Sequence, residues 1–159
     1  MASGMAFQAG NSLDSGQLLA LRLAQNEILA MCELLEEIAD SLPNHIDAKK
    51  CSKAAEMLGP LMRRVHRFEE EEIYPRYAGA SPGKNLQKTL ERLRAEHCED
   101  ECYAEELADA LTKVSSSADS VSSETLGYML RGFFEAIRRH IAFEKEKFSP
   151  EPELRQMEN

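Results

Sequence analysis

Basic residues are in short supply in this chain. Lys and Arg number 19 against 28 Asp and Glu, giving a formal net charge of -9 over 159 residues. Binding a nucleic-acid backbone needs a basic surface that releases counterions, so nucleic acid is disfavoured as a partner. Long apolar runs are missing as well: nowhere do about 18 apolar residues follow one another. Met1 to Asn11 has neither a basic start nor an apolar run of signal-peptide length. The expectation is a soluble, cytoplasmic chain with no membrane partner. Cysteine is limited to Cys32, Cys51, Cys98 and Cys102, with neither C-x-x-C spacing nor the density of a disulfide scaffold. Cys98 and Cys102 would stack one turn apart on a helix, where a soft-metal or redox pair is conceivable; partly buried free thiols are the expected state. No Gly-rich phosphate loop, nucleophile elbow or Walker-like element occurs. Histidine is limited to four residues, His45, His66, His97 and His140.

What is present is the composition of a folded domain, 43% hydrophobic and 30% charged, in a length that suits one core. Four segments carry helical periodicity and no strand pattern competes. The first runs from about Leu13 to Leu42, with Leu21, Gln25, Ile28, Cys32, Leu35 and Ala39 at alternating four and three spacing, and ends at Pro43. The second runs from about Ile46 to Tyr74, and Pro75 is expected to stop it. Ser81 and Pro82 are expected to cap and open the third, which reaches about Lys113. A serine-rich loop, Val114 to Ser123, leads to the fourth, about Glu124 to Phe148, closed by Pro150 and Pro152. Four amphipathic segments of similar length can bury their stripes only against one another. An all-α, up-down-up-down antiparallel four-helix bundle over residues 13–150 follows, with a flexible N-terminus (1–12) and a polar tail (151–159).

The informative positions are polar residues in phase with the apolar stripes. On the fourth segment Leu130, Phe133 and Ile137 lead to His140, Glu144 and Phe148. On the third, Leu90 and Leu93 lead to His97, Glu101 and Ala104. On the second, His66 and Glu70 lie beside the stripe through Leu58, Met62 and Ile73. Each of these helices therefore carries an H-x-x-x-E pair, whose two side chains share one side. His66 and His140 lie about 14 Å from the C-terminal ends of their helices and His97 about 20 Å from the N-terminal end of its own. In an antiparallel bundle these levels coincide to within about two turns. A single such pair is usually a solvated contact, but three together would bury three carboxylates. Neutral imidazoles relieve that cost only partly, and one or two divalent ions relieve most of it. Imidazole with carboxylate suits Fe, Mn or Zn. The bland readings are that His45 is a surface histidine, that Arg63, Arg64, Arg67, Arg138 and Arg139 pair outward with the acids of Glu69 to Glu72, and that Phe68, Tyr74, Phe133, Phe134 and Phe143 are core packing near the site.

At these residues the chain resembles the hemerythrin-like, or HHE cation-binding, family. His140-Ile-Ala-Phe-Glu144, followed by Pro150, is similar to the family's last-helix motif. His66-Arg-Phe-Glu-Glu70, followed by Pro75, is similar to the second-helix motif, and Glu96-His97 to the third. The resemblance covers about Leu18 to Pro150. It implies a four-helix bundle holding non-haem iron that meets dioxygen, nitric oxide or peroxide. His97 and His140 would serve one iron and His66 the other, with Glu70 and Glu144 bridging.

Three positions depart from the pattern. Where the family has a first-helix histidine this chain has Gln25, or Asn26 in the alternative alignment. The third-helix position four residues after His97 is Glu101 rather than histidine. The second helix has one residue fewer before its proline than the fourth, which leaves Glu69 as the alternative to Glu70. The metal set is thus read as His66, Glu70, His97, Glu101, His140 and Glu144, with one position kept and its neighbour weak. That favours handling or sensing an oxidant or nitric oxide over oxygen carriage. The rival readings are a metal-free bundle acting on a protein partner as an interaction or regulatory module, and a redox or peroxidase-like enzyme.

Overall fold

The structure is a computed structural model that describes residues 13–80, 83–116 and 121–148. Among the described residues every regular element is helical: α1 (Ser15–Ser41), α2 (Ala48–Phe68), a π turn (Glu69–Ile73), α3 (Tyr74–Ala80), α4 (Lys84–Ser115) and α5 (Ser123–Phe148). Four of these helices are long, in agreement with the four periodic segments. No helix among the described residues is long and apolar enough to cross a membrane.

Local chemistry sets the ends. Asp14 caps α1 in a reciprocal box: its carboxylate accepts from the Gln17 backbone N–H at 2.8 Å, and the Gln17 side chain accepts from the Asp14 N–H at 3.2 Å. Leu42, forced towards extended backbone by Pro43, ends that helix. Asp47 caps α2 by accepting from the N–H groups of Lys49 and Lys50. The Ser122 hydroxyl accepts from the Thr125 N–H at the start of α5.

Pro75 does not stop the second segment; the helical path continues to Ala80. The reason is the π turn just before it, in which the Tyr74 N–H reaches back five residues to the Glu69 carbonyl. A wider turn makes room for the proline ring, which in an α-helix would press on the carbonyl four residues back. The caps expected at Ser81 and Pro82, the closing Pro150 and Pro152, and the terminal segments 1–12 and 151–159 lie outside the described residues.

Helix α2 packs on α4, α1 on α5 and on α2, and α4 on α5, so each long helix has two neighbours. Two apolar clusters result. The larger includes Ile28, Val65, Ala104, Phe133, Ile137 and Ile141. The smaller includes Leu21, Ile73, Tyr74, Leu93 and Phe148. Full burial of one such side chain contributes about 1.5–3 kcal/mol, so both clusters are strong enough to hold a layer of unfavourable groups between them. That layer exists: Gln25, His66, Glu69, His97 and Glu144 are the buried polar residues among those described. In each long helix the layer falls between members of the two clusters: Gln25 between Leu21 and Ile28, His66 and Glu69 between Val65 and Ile73, His97 between Leu93 and Ala104, Glu144 between Ile141 and Phe148.

On the surface, His45 is exposed, as expected of a loop histidine. Cys32 and Cys51 are buried and unpaired, whereas Cys98 and Cys102 are exposed on α4 rather than partly buried. Their helix turns its buried stripe towards α2 and α5, which leaves the residue after His97 facing solvent. The arginines also differ from expectation. Three of the five bridge to other helices instead of pairing with Glu69 to Glu72: Arg63 to Glu105, Arg64 to Glu27, and Arg138 to Glu36 at 2.6 Å. Of the π-turn acids only Glu69 turns inward to burial; Glu71 and Glu72 stay on the side of Arg63, Arg64 and Arg67, with which they border a surface cavity.

Candidate metal centre

Glu69, His97, His140 and Glu144 each offer one ligand atom, and these atoms all lie within 4.8 Å of one another. They come from three elements, the π turn, α4 and α5. His97 Nε2 lies 3.1 Å from Glu69 Oε2 and 3.8 Å from Glu144 Oε1. His140 Nε2 is in direct contact with Glu144 Oε1. On the fourth side Gln25 donates its amide Nε2 to Glu144 Oε2 at 3.3 Å.

The outward ring nitrogens follow one rule. His97 Nδ1 meets Glu70 Oε1 at 2.7 Å, His66 Nδ1 meets Glu101 Oε1 at 2.9 Å, and His140 Nδ1 lies 3.1 Å from Glu96 Oε2 and 3.6 Å from Asp100 Oδ2. A carboxylate accepting from Nδ1–H fixes the ring and its tautomer and leaves Nε2 as the basic nitrogen, an arrangement typical of metal-bound imidazoles. His66 lies beside the cluster, stacked on His97 with ring centroids 3.8 Å apart and planes within 7°.

The electrostatics express the same crowding. Burial opposes charge on His97, but the surrounding carboxylates of Glu144, Glu69 and Glu70 outweigh it and raise the ring to about 10. His66 goes the other way: burial first, then the nearby His97 and His140, push it down to about 3. Burial drives the Glu69 carboxyl well above the ordinary range, with His97 opposing. Burial would do the same to Glu144, yet the hydrogen bonds from His140 and His97 hold it below that range. Two buried carboxylates therefore share a small space with competing protons, the situation in which a metal ion is the better counter-charge.

A direct test of fit is the state of the individual atoms. Glu69 Oε2 is buried and has no hydrogen-bond partner, although it points at the ring edge of His97. An orphaned carboxylate oxygen aimed into a group of two imidazoles and a second carboxylate is what a cation would satisfy. The donors are all nitrogen and oxygen, the set that suits Fe, Mn or Zn, and the thiols are elsewhere. The residues present fit the group.

Of the sequence-predicted residues, His97, His140 and Glu144 come together, His66 stands at the edge, and Glu70 and Glu101 lie on the outward nitrogens of His97 and His66. Glu69 occupies the inner place on the second helix. In the wide turn it is Glu69 that is buried, at 2% exposure, while Glu70 stays partly open. Sequence reasoning passed over Asp100, whose buried Oδ2 also lacks a partner, and the role of Tyr74, whose hydroxyl lies 3.1 Å from His97 Nε2. Three-residue spacing from His97 was the available signal for Asp100; Tyr74 had none, because its facing depends on the π turn.

Two surface cavities lead to the outer carboxylates. One, of about 420 Å³, is bordered by Glu96, Asp100, Arg139, His140 and Phe143. The other, of about 240 Å³, is bordered by His66, Arg67, Glu70 and Glu101. A larger cavity of about 630 Å³ between α1 and α2, floored by Met31, Leu34 and Leu61, includes none of the cluster.

A helical bundle whose buried layer gathers histidines and carboxylates around a candidate cation site defines a class of metal-binding helical proteins. This chain belongs to the hemerythrin family: the model of the hemerythrin HHE cation-binding domain matches residues 19–151. No curated protein and no solved structure matches it.

Proposed function

We propose that this protein binds non-haem iron through Glu69, His97, His140 and Glu144, and that it senses or handles dioxygen, peroxide or nitric oxide there rather than carrying oxygen. The observation that carries this reading is the pairing of an orphaned Glu69 oxygen with two imidazoles whose outer nitrogens are already held by carboxylates. In such a site iron supplies the redox chemistry. The chain's own residues do the rest: Glu70 and Glu96 orient His97 and His140, the two apolar clusters exclude water, and the cavities beside His66 and His140 admit a small molecule.

A second iron beside His66 would bind weakly. Gln25 stands where the family has a first-helix histidine, and its amide already donates to Glu144 Oε2. An amide nitrogen has no lone pair to offer a metal, so that side of the layer is closed by a hydrogen bond instead of a ligand. Reversible oxygen carriage needs a complete pair of irons, which is why sensing or handling is favoured.

The up-down-up-down order is part of the same reading. Side-chain contacts run in opposite directions along neighbouring helices: Glu27 with Arg64 and Glu37 with Lys50, Glu36 with Arg138 and Asp40 with Arg131, His66 with Glu101 and Arg63 with Glu105. Two exposed unpaired thiols, Cys98 and Cys102, suit a reducing compartment such as the cytoplasm.

Metal analysis of the chain purified from iron-supplemented cells tests the proposal. About one equivalent of iron, with near-ultraviolet absorption after exposure to air, is expected. Fewer than about 0.2 equivalents of any metal would refute it and favour the metal-free interaction module, since a site that contributes to folding fills when its metal is supplied.

A further inference from the structure

We infer that the Tyr74 hydroxyl is an additional donor of the metal site, closing on ferric iron as a phenolate beside His97. The inference rests on the iron-binding reading above and concerns which atoms complete that site.

Tyr74 is fully buried, and its hydroxyl has one hydrogen-bond partner among the described residues, His97 Nε2 at 3.1 Å. That nitrogen is the one His97 would give to a metal, because its Nδ1 is held by Glu70 at 2.7 Å. With Nε2 given to an ion, the Tyr74 hydroxyl would lose its partner while remaining beside the ligand atom of His97. A buried hydroxyl without a partner is costly, and donating its oxygen to the ion removes that cost.

The fold has gone to some length to place this ring. In a straight α-helix residues five apart differ by about 140° in direction, so Glu69 and Tyr74 could not both face the layer. The π turn, with its hydrogen bond from the Tyr74 N–H to the Glu69 carbonyl, brings them to the same side. The ring is then held by Phe148 at 5.8 Å and by the Arg94 guanidinium at 5.7 Å between centres. Wide turns of this kind occur often at functional sites, and here one delivers two oxygen donors.

Charge decides the oxidation state in which the bond forms. Glu69 and Glu144 balance a divalent ion. A ferric ion adds one positive charge to a layer enclosed by apolar clusters, and one phenolate restores neutrality, with one proton released per bond formed. The other tyrosines are unsuited: Tyr77 and Tyr103 donate to the carbonyls of Phe148 and Met129, each at 2.9 Å, and Tyr128 is 72% exposed.

The test compares the full-length parent with Tyr74→Phe, both loaded with ferrous iron and oxidised in air, with iron content measured on the same samples. The parent is expected to show a visible phenolate-to-iron charge-transfer band, with phenolate ring modes enhanced in resonance Raman. Tyr74→Phe at equal helicity should lose both while still binding iron. Iron in the parent without the phenolate modes, or modes that persist in Tyr74→Phe, overturns the inference and leaves iron binding intact. A parent that holds no iron overturns the iron-binding reading and this inference with it. Should the variant fail to fold, the parent spectrum alone decides, because Tyr74 is the one tyrosine near the cluster.

Discussion

Glu69 and Glu70 are neighbours in sequence, and the structure gives them different work. Glu69 reaches the inner cluster with an unpartnered oxygen, whereas Glu70 accepts from the outer nitrogen of His97. Replacing each by glutamine keeps its size and removes its charge. The apparent binding energy of a four-donor protein metal site is about 10–16 kcal/mol at neutral pH, using structural zinc as the guide. Divided over four donors this is roughly 2.5–4 kcal/mol for one, or about two to three orders of magnitude in affinity at 1.4 kcal/mol per decade. An outer carboxylate that orients a ligand costs about 10- to 100-fold when lost. Glu69→Gln should therefore weaken ferrous-ion binding by about a hundred- to a thousand-fold and Glu70→Gln by tenfold or so. Competition with a coloured chelator of known affinity reads both values, with circular dichroism confirming that the helices persist. The reasoning fails if Glu70→Gln is the more damaging change, because the π turn would then not set which carboxylate faces inward.

Two further changes probe other parts of the layer. Gln25→His should raise the iron content from about one towards two per chain, because an imidazole there would supply the ligand that the amide withholds; unchanged stoichiometry would refute the account of the closed side. In the iron-free chain, His66 is held neutral down to about 3 against an ordinary 6.5. Below pH 6.5 the unfolded chain gains a proton at this position that the folded one does not, so stability is lost as the pH falls from 6.5 towards 3. Glu69, shifted upward, works in the opposite sense over part of that range. The comparison with His66→Gln isolates the first effect: as the pH falls below 6.5 the variant should gain on the parent by up to about 1.4 kcal/mol per pH unit. Urea unfolding of chelator-treated samples at pH 6.5 and 5 measures it, and equal pH slopes for the two proteins would refute the assignment.

The four long helices, the apolar stripes and the in-phase His97, His140 and Glu144 were legible in the sequence. Their signal is periodic, and helical periodicity survives from sequence to structure wherever the backbone keeps 3.6 residues per turn. The weakness of Gln25 as a ligand was legible for a chemical reason, since a neutral amide oxygen is a poorer donor to iron than an imidazole nitrogen. What the sequence could not determine lies where the period changes or where two helices meet. At Glu69 to Ile73 the turn widens, so counting four residues from His66 leads to Glu70 when the inward carboxylate is Glu69, and Pro75 ceases to be a stop. Tyr74, which a periodic reading assigns to packing, is carried by the same turn to His97. Glu101 keeps the phase expected of it, yet its oxygen ends on His66 of the neighbouring helix. Spacing along one helix fixes a side chain's direction only. Whether a carboxylate so directed meets the metal position or the back of another ring depends on the offset between helices, which is set by the packing of both apolar clusters together.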